Sequence, residues 1–149
     1  MFGRYGLLNR SDMQYSYIFT PFIAWTAAGT LKFVINTVRA KKLAFGLIGY
    51  GGMPSNHSAI VCSMASLIAF KNGVEDPAFG VAVTLAFIVM LDASSLRKQI
   101  GKQATVINSL NALSGAATGK LRERMGHSPI EIFAGALLGA LTGWLIATL

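Results

Sequence analysis

The sequence predicts an all-α integral membrane protein, a compact bundle of about four transmembrane helices. Three observations carry that prediction. Of 149 residues, 53% are apolar and only 13% are charged, against about 25% charged in soluble domains. The mean hydropathy is +0.53. Apolar runs long enough to cross a bilayer recur along the chain, with short polar or charged stretches between them. This composition argues against a soluble or a disordered protein. The length suits one unit, so residues 1–149 are read as a single membrane domain.

Taken in order, residues 1–14 are polar enough to stay outside lipid. No signal peptide is expected, because the first apolar run is too long for one and no small-residue cleavage site follows it. Span one is read over 15–38, with a single charge, Lys32. Pro21 is placed in its first turns, where a proline is tolerated. Arg39-Ala40-Lys41-Lys42 stops this span. Residues 43–53 are apolar and Gly-rich, and suit a re-entrant or interfacial segment. Span two is short, over 54–70. A turn rich in Gly and Pro leads to span three, over 78–95. Residues 97–126 form a polar connection, with apolar residues at helical spacing from Ala104 to Leu113 that suit a helix on the membrane surface. Span four is read over 129–149, opened by Pro129 at a first helical position.

The net charge of +7, from thirteen Lys/Arg and six Asp/Glu, needs an explanation in so apolar a chain. The span map supplies one. The loops at 39–56 and 96–128 share one membrane face. Lys32, His57, Asp92, Arg97, His127 and Glu131 all fall near that face. One cysteine, Cys62, excludes an internal disulfide and any Cys-based zinc site. Two histidines are too few for most His-based metal sites unless carboxylates complete the shell. No metal and no cofactor is expected, and no nucleic acid.

Cations and histidines at one membrane face suggest an anion site, because an unneutralised charge near lipid is expensive. Arg grips phosphate through its planar fork and Lys as a point charge. Ser55, Asn56 and His57 open span two, where backbone N–H groups favour an anion. His127 and Glu131 are four residues apart, so on a helix they share a face. The carboxylate can then fix the imidazole tautomer and leave the other nitrogen to attack, while His57 serves as general acid.

These residues resemble a known family. Lys32-x6-Arg39, Pro54-Ser55-Asn56-His57 and His127-x3-Glu131 look like the three motifs of type 2 phosphatidic acid phosphatases, which vanadium haloperoxidases share. More closely, the runs GGMPSNHSA, DASSLRKQIGKQATVIN and MGHSPIEIFAGALLG resemble the divergent PAP2 family. The resemblance covers roughly residues 25–145. It implies a reduced phosphatase core that acts on a lipid phosphate without a metal, through a phosphohistidine. It gives Lys32 and Arg39 to phosphate oxygens, and Ser55 with the Asn56 backbone to another. It makes His57 the acid, His127 the nucleophile and Glu131 the group that orients it. Asn56 stands where the family has Gly, Ala40 where it has Pro, and Glu131 where it has Asp. Leu121 stands where the third motif has Arg. Arg97 is the first choice to replace that arginine, beside Asp92 as a supporting partner. Arg122 and Arg124 are the second choice.

The expected substrate is a lipid phosphomonoester or diphosphate. Phosphatidylglycerophosphate, phosphatidate and undecaprenyl diphosphate are the candidates. The alternative is a non-catalytic protein that binds, carries or assembles around lipid phosphate on the same scaffold. A vanadate haloperoxidase is disfavoured, because the chain is nearly all membrane. Gly135, Gly139 and Gly143 form a small-residue stripe that marks close helix packing, within the chain or between two copies. A homodimer through that face is one expectation. The expected location is a bacterial inner membrane. Nine cations on the motif face against three on the other place that face in the cytoplasm.

Overall fold

The structure is a computed structural model and describes residues 10–41, 43, 52–115 and 119–149. Most of the expected polar N-terminus (1–9) and of the expected re-entrant stretch (44–51) lie outside the described residues. Among the described residues five helices follow in order: α1 (Arg10–Ala40), α2 (Asn56–Asn72), α3 (Pro77–Ser94), α4 (Leu96–Ser114) and α5 (Pro129–Thr148). No strand occurs among the described residues.

The protein is an all-α integral membrane protein. Among the described residues three stretches are long and apolar enough to cross a bilayer: Tyr15–Ala40, Pro77–Ser114 and Pro129–Thr148. The expected short second span falls on α2, which has 17 residues and is not one of those three stretches. It sits at the centre and packs against α1, α3 and α5. Large apolar side chains point away from the bundle, among them Phe22 (63% exposed) and Phe87 (60%). The buried positions hold mostly small residues: Ala24, Ala28, Ala59, Ala82, Ala86, Ser58 and Ser63. Lipid tails are as apolar as leucine, so helices in a bilayer gain little by hiding leucines from it. They gain from close backbone approach, which small residues permit.

Two expectations need correction here. Pro21 does not lie in the first turns of its helix. α1 starts at Arg10, so Pro21 stands well inside it. Its ring denies the Tyr17 carbonyl an amide partner. The glycine stripe is not a free face for a second copy. A Cβ at Gly135, Gly139 or Gly143 would collide with the carbonyl oxygen of Ser55, Ala59 or Ser63, respectively. The stripe is therefore filled within the chain by α2. Both series rise together, so α2 and α5 run parallel and start at the same end of the bundle. Ser66 Oγ donates to the Ala140 carbonyl at 2.7 Å and locks the same register.

α1 runs antiparallel to α2. At one end, Lys71 Nζ donates to Ser16 Oγ at 2.9 Å, and Tyr17 Oη donates to Asn72 Oδ1. At the other, Gly29 faces the Asn56 side chain. The C-terminal ends of α1 and α3 thus meet the N-terminal ends of α2 and α5. The 97–126 connection is more regular than expected, since its first half is α4. Ser95 separates α4 from α3.

Candidate active site

α5 begins with a capping box. Ser128 Oγ accepts the Glu131 N–H at 3.3 Å, and Glu131 Oε2 accepts the Ser128 N–H at 3.0 Å. The reciprocal pair satisfies two amides that every helix start leaves open. It also aims the Glu131 carboxylate back at the residue just before the cap. His127 Nδ1 lies 3.1 Å from the same Oε2. A carboxylate only accepts, so Nδ1 carries the proton and Nε2 is left with its lone pair. The His127 N–H is held by the Ala93 carbonyl at 3.0 Å. Gly126 has φ of 85° and no side chain, and a Cβ there would press on Lys98 and Ala93. Only glycine fits that turn readily.

His127 is 8% exposed. Burial disfavours the imidazolium and lowers the pKa below the ordinary 6.5, while the Glu131 hydrogen bond and charge oppose that shift. His57, one residue into α2, is exposed. The two rings have centroids 6.4 Å apart and planes 58° apart. They meet because α2 and α5 start together: the Ser55 N–H donates to the Glu131 carbonyl at 2.9 Å.

Lys32 is half-buried on α1, and its charge acts on Glu131 and on both histidines. Arg97 pairs with Asp92, Nε to Oδ2 at 2.7 Å, and its charge also reaches both histidines. The Asp92 contact uses Nε, which leaves the two terminal guanidinium nitrogens for another anion. A cavity of about 250 Å³ opens beside His127 and Glu131, lined also by Gly52, Lys98, Arg124, Met125, Gly126 and Ser128. The histidines, Glu131, Lys32, Arg97 and Asp92 are thus brought together, and Arg124 stands at the cavity edge.

Other expected site residues fare differently. Ser55 is fully buried and caps α2, accepting from the Ser58 N–H at 3.3 Å and the Ser58 hydroxyl at 3.0 Å. That leaves it no surface for a ligand, because the close α2–α5 contact seals it. Asn56 turns its side chain toward α1, where Oδ1 is buried and has no hydrogen-bond partner. Arg39 is exposed in the last turn of α1, and nothing joins it to the histidines among the described residues. Arg122 donates through Nε to the Arg124 carbonyl at 3.2 Å, so it braces the loop rather than entering the cavity.

Two contributors were not legible beforehand. Residues 119–128 run back along α4 as a strap. Asn108 holds it like a short ladder: Nδ2 donates to the Leu121 carbonyl at 2.9 Å, and Oδ1 accepts the Leu121 N–H at 2.9 Å. Nδ2 also lies 2.8 Å from Glu123 Oε1. Gly101 leaves room for the Glu123 carbonyl to press on α4. The glycine inside a helical pattern was the available signal. Asn108→Ala is expected to loosen the strap by about 1 kcal/mol per bond. Hydrogen exchange at Leu121, which two of these bonds hold, should rise about thirtyfold, the equivalent of about 2 kcal/mol. The other contributor is Lys98, which lines the cavity and which the sequence marks only as a cation near Asp92 on the motif face.

Comparison with known proteins points in one direction. A family model described as the divergent PAP2 family matches residues 13–142. YuiD, an uncharacterized membrane protein of Bacillus subtilis (strain 168), is 35% identical over 136 residues, which cover 80% of this chain and 86% of that protein. No solved structure matches.

Proposed function

The chain belongs to the divergent PAP2 family, and we propose that it is a membrane phosphatase that cleaves a lipid phosphomonoester or diphosphate through a phosphohistidine. One observation carries the reading. A buried histidine is held at Nδ1 by a carboxylate, and the only other histidine of the chain lies 6.4 Å away.

Lys32 and Arg97 hold the non-bridging oxygens, whose negative charge grows in the transition state. His127 Nε2 attacks phosphorus. The P–O bond to the lipid breaks, and the leaving oxygen takes a proton from His57. Glu131 stabilises the charge that His127 gains. His57, now neutral, takes a proton from water, and that water attacks the phosphohistidine. The products are the dephosphorylated lipid and inorganic phosphate, with both histidines restored. For a diphosphate the leaving group is the lipid monophosphate. The cation asymmetry supports a cytoplasmic site.

The test is release of inorganic phosphate by the purified protein in detergent, with chelator present and with vanadate as inhibitor. Absence of release from every candidate lipid would refute the reading. The pH dependence follows from His127. Attack needs the neutral ring, and burial keeps it neutral to lower pH than an ordinary histidine. The acid limb of kcat/KM, which reports the free enzyme, should therefore fall below pH 6.5. Glu131→Gln removes the charge that favours the imidazolium, so its limb should move lower still while kcat drops.

A further inference from the structure

We propose that the strap and the start of α4 form a second anion subsite, Lys98 with Arg124, which selects lipids whose headgroup carries a second phosphate beyond the one cleaved. The proposal rests on the reading of His127 and His57 as the phosphate-handling pair.

The cations around the site fall into two sets. Lys32 and Arg97 act on both histidines. Lys98 and Arg124 instead line the cavity with His127 and Glu131, and neither Lys32 nor Arg97 lines it. Two cations thus act on the histidine pair, and two more line the cavity on the His127 side. The cavity volume, about 250 Å³, lies just below the range of about 300–1,000 Å³ for ligand sites. It has room for a headgroup rather than for acyl chains.

The subsite is built rather than incidental. Lys98 packs its stem where Gly126 has no side chain, beside the backbone that carries His127. Arg124 lies between two anchored points of the strap. On one side Glu123 meets Asn108 and Gly101, and on the other Met125 and Gly126 meet α4. The Arg124 charge already acts on Glu131 across the cavity. An arriving phosphate would compete for that cation and gain a fork-shaped partner. A lipid with one phosphate, such as phosphatidate, leaves Lys98 and Arg124 unmatched. One with a diphosphate, or with a diester and a terminal monoester, fills both sets.

The same chemistry could come from a neighbouring anionic lipid, so the experiment separates the two sources. The full chain carrying His127→Asn, which cannot turn over, is placed in phosphatidylcholine nanodiscs. Binding of phosphatidylglycerophosphate is compared with that of phosphatidate. The expected preference for the two-phosphate lipid is at least about tenfold. Lys98→Ala with Arg124→Ala should erase the preference, Lys98→Glu with Arg124→Glu should invert it, and Arg124→Lys should keep part of it. Both side chains are exposed, which spares the fold. Three results would overturn the proposal: no preference, an equal loss for both lipids, or a preference that vanishes when phosphatidylglycerol is added to the bilayer. The second would assign Arg124 to the cleaved phosphate, and the third would assign the subsite to a neighbouring lipid. An intact preference together with no phosphate release by the unsubstituted chain would instead refute the phosphatase reading alone.

Discussion

His127→Ala is expected to lower phosphate release by about 10⁴-fold or more, which is the scale seen when a covalent nucleophile is removed from a site whose other parts remain. The fold should tolerate the change. His127 is anchored by its backbone N–H on Ala93, which alanine keeps. The capping box of Ser128 and Glu131 does not need the ring. Helical circular dichroism should therefore be unchanged while initial rates fall. Glu131→Gln separates orientation from attack. The amide oxygen can still accept from Ser128 and keep the cap, but the carboxylate charge is gone. A loss of about a hundredfold or more is expected, by analogy with the orienting acid of a catalytic triad. Unchanged release by His127→Ala would sink the phosphohistidine mechanism outright.

Gly139→Leu is expected to destabilise the protein by about 3 kcal/mol, the upper end for forcing bulk into a packed interface. The obstacle is the Ala59 carbonyl on α2, and backbone cannot rotate aside as a side chain can. The helices must part, and the damage should reach activity too. The spacing of α2 and α5 sets the distance between His57 and His127. Trp144→Ala is the control. Trp144 faces outward at 43% exposure, and its loss should change stability by no more than about 0.5 kcal/mol. Unfolding in detergent, followed by helical signal, reads both variants. If the stripe served a dimer instead, Gly139→Leu would change the assembled mass and leave the fold intact.

The helices were legible because a bilayer imposes a length and a hydropathy that appear locally in the sequence. Spans one, three and four match α1, α3 and α5 for that reason. α2 is shorter, and its centrality depends on neighbours that no window reveals. The His127–Glu131 pair was legible because four residues on a helix bring two side chains to one face. Lys32 was legible as a lone charge in an apolar run. Ser55 misled. A serine at a helix start serves equally well as a cap or as an anion ligand, and only burial against α5 distinguishes them. Asn108 was invisible because its partner, Leu121, is thirteen residues away across a loop.

By itself, then, the sequence determined that the chain lives in a membrane and that its two histidines come near each other, and it led to the expectation that most of its cations gather at the same face. These are matters of composition, period and short spacing. Only the tertiary structure decided that the glycine stripe is filled by α2, and that Arg39 stands apart from the histidines while Arg97, the arginine favoured from the sequence, stands near them. It alone placed Lys98 and Arg124 in one cavity with His127. Each of those depends on which surfaces pack together, and packing is settled by contacts between residues far apart in the chain.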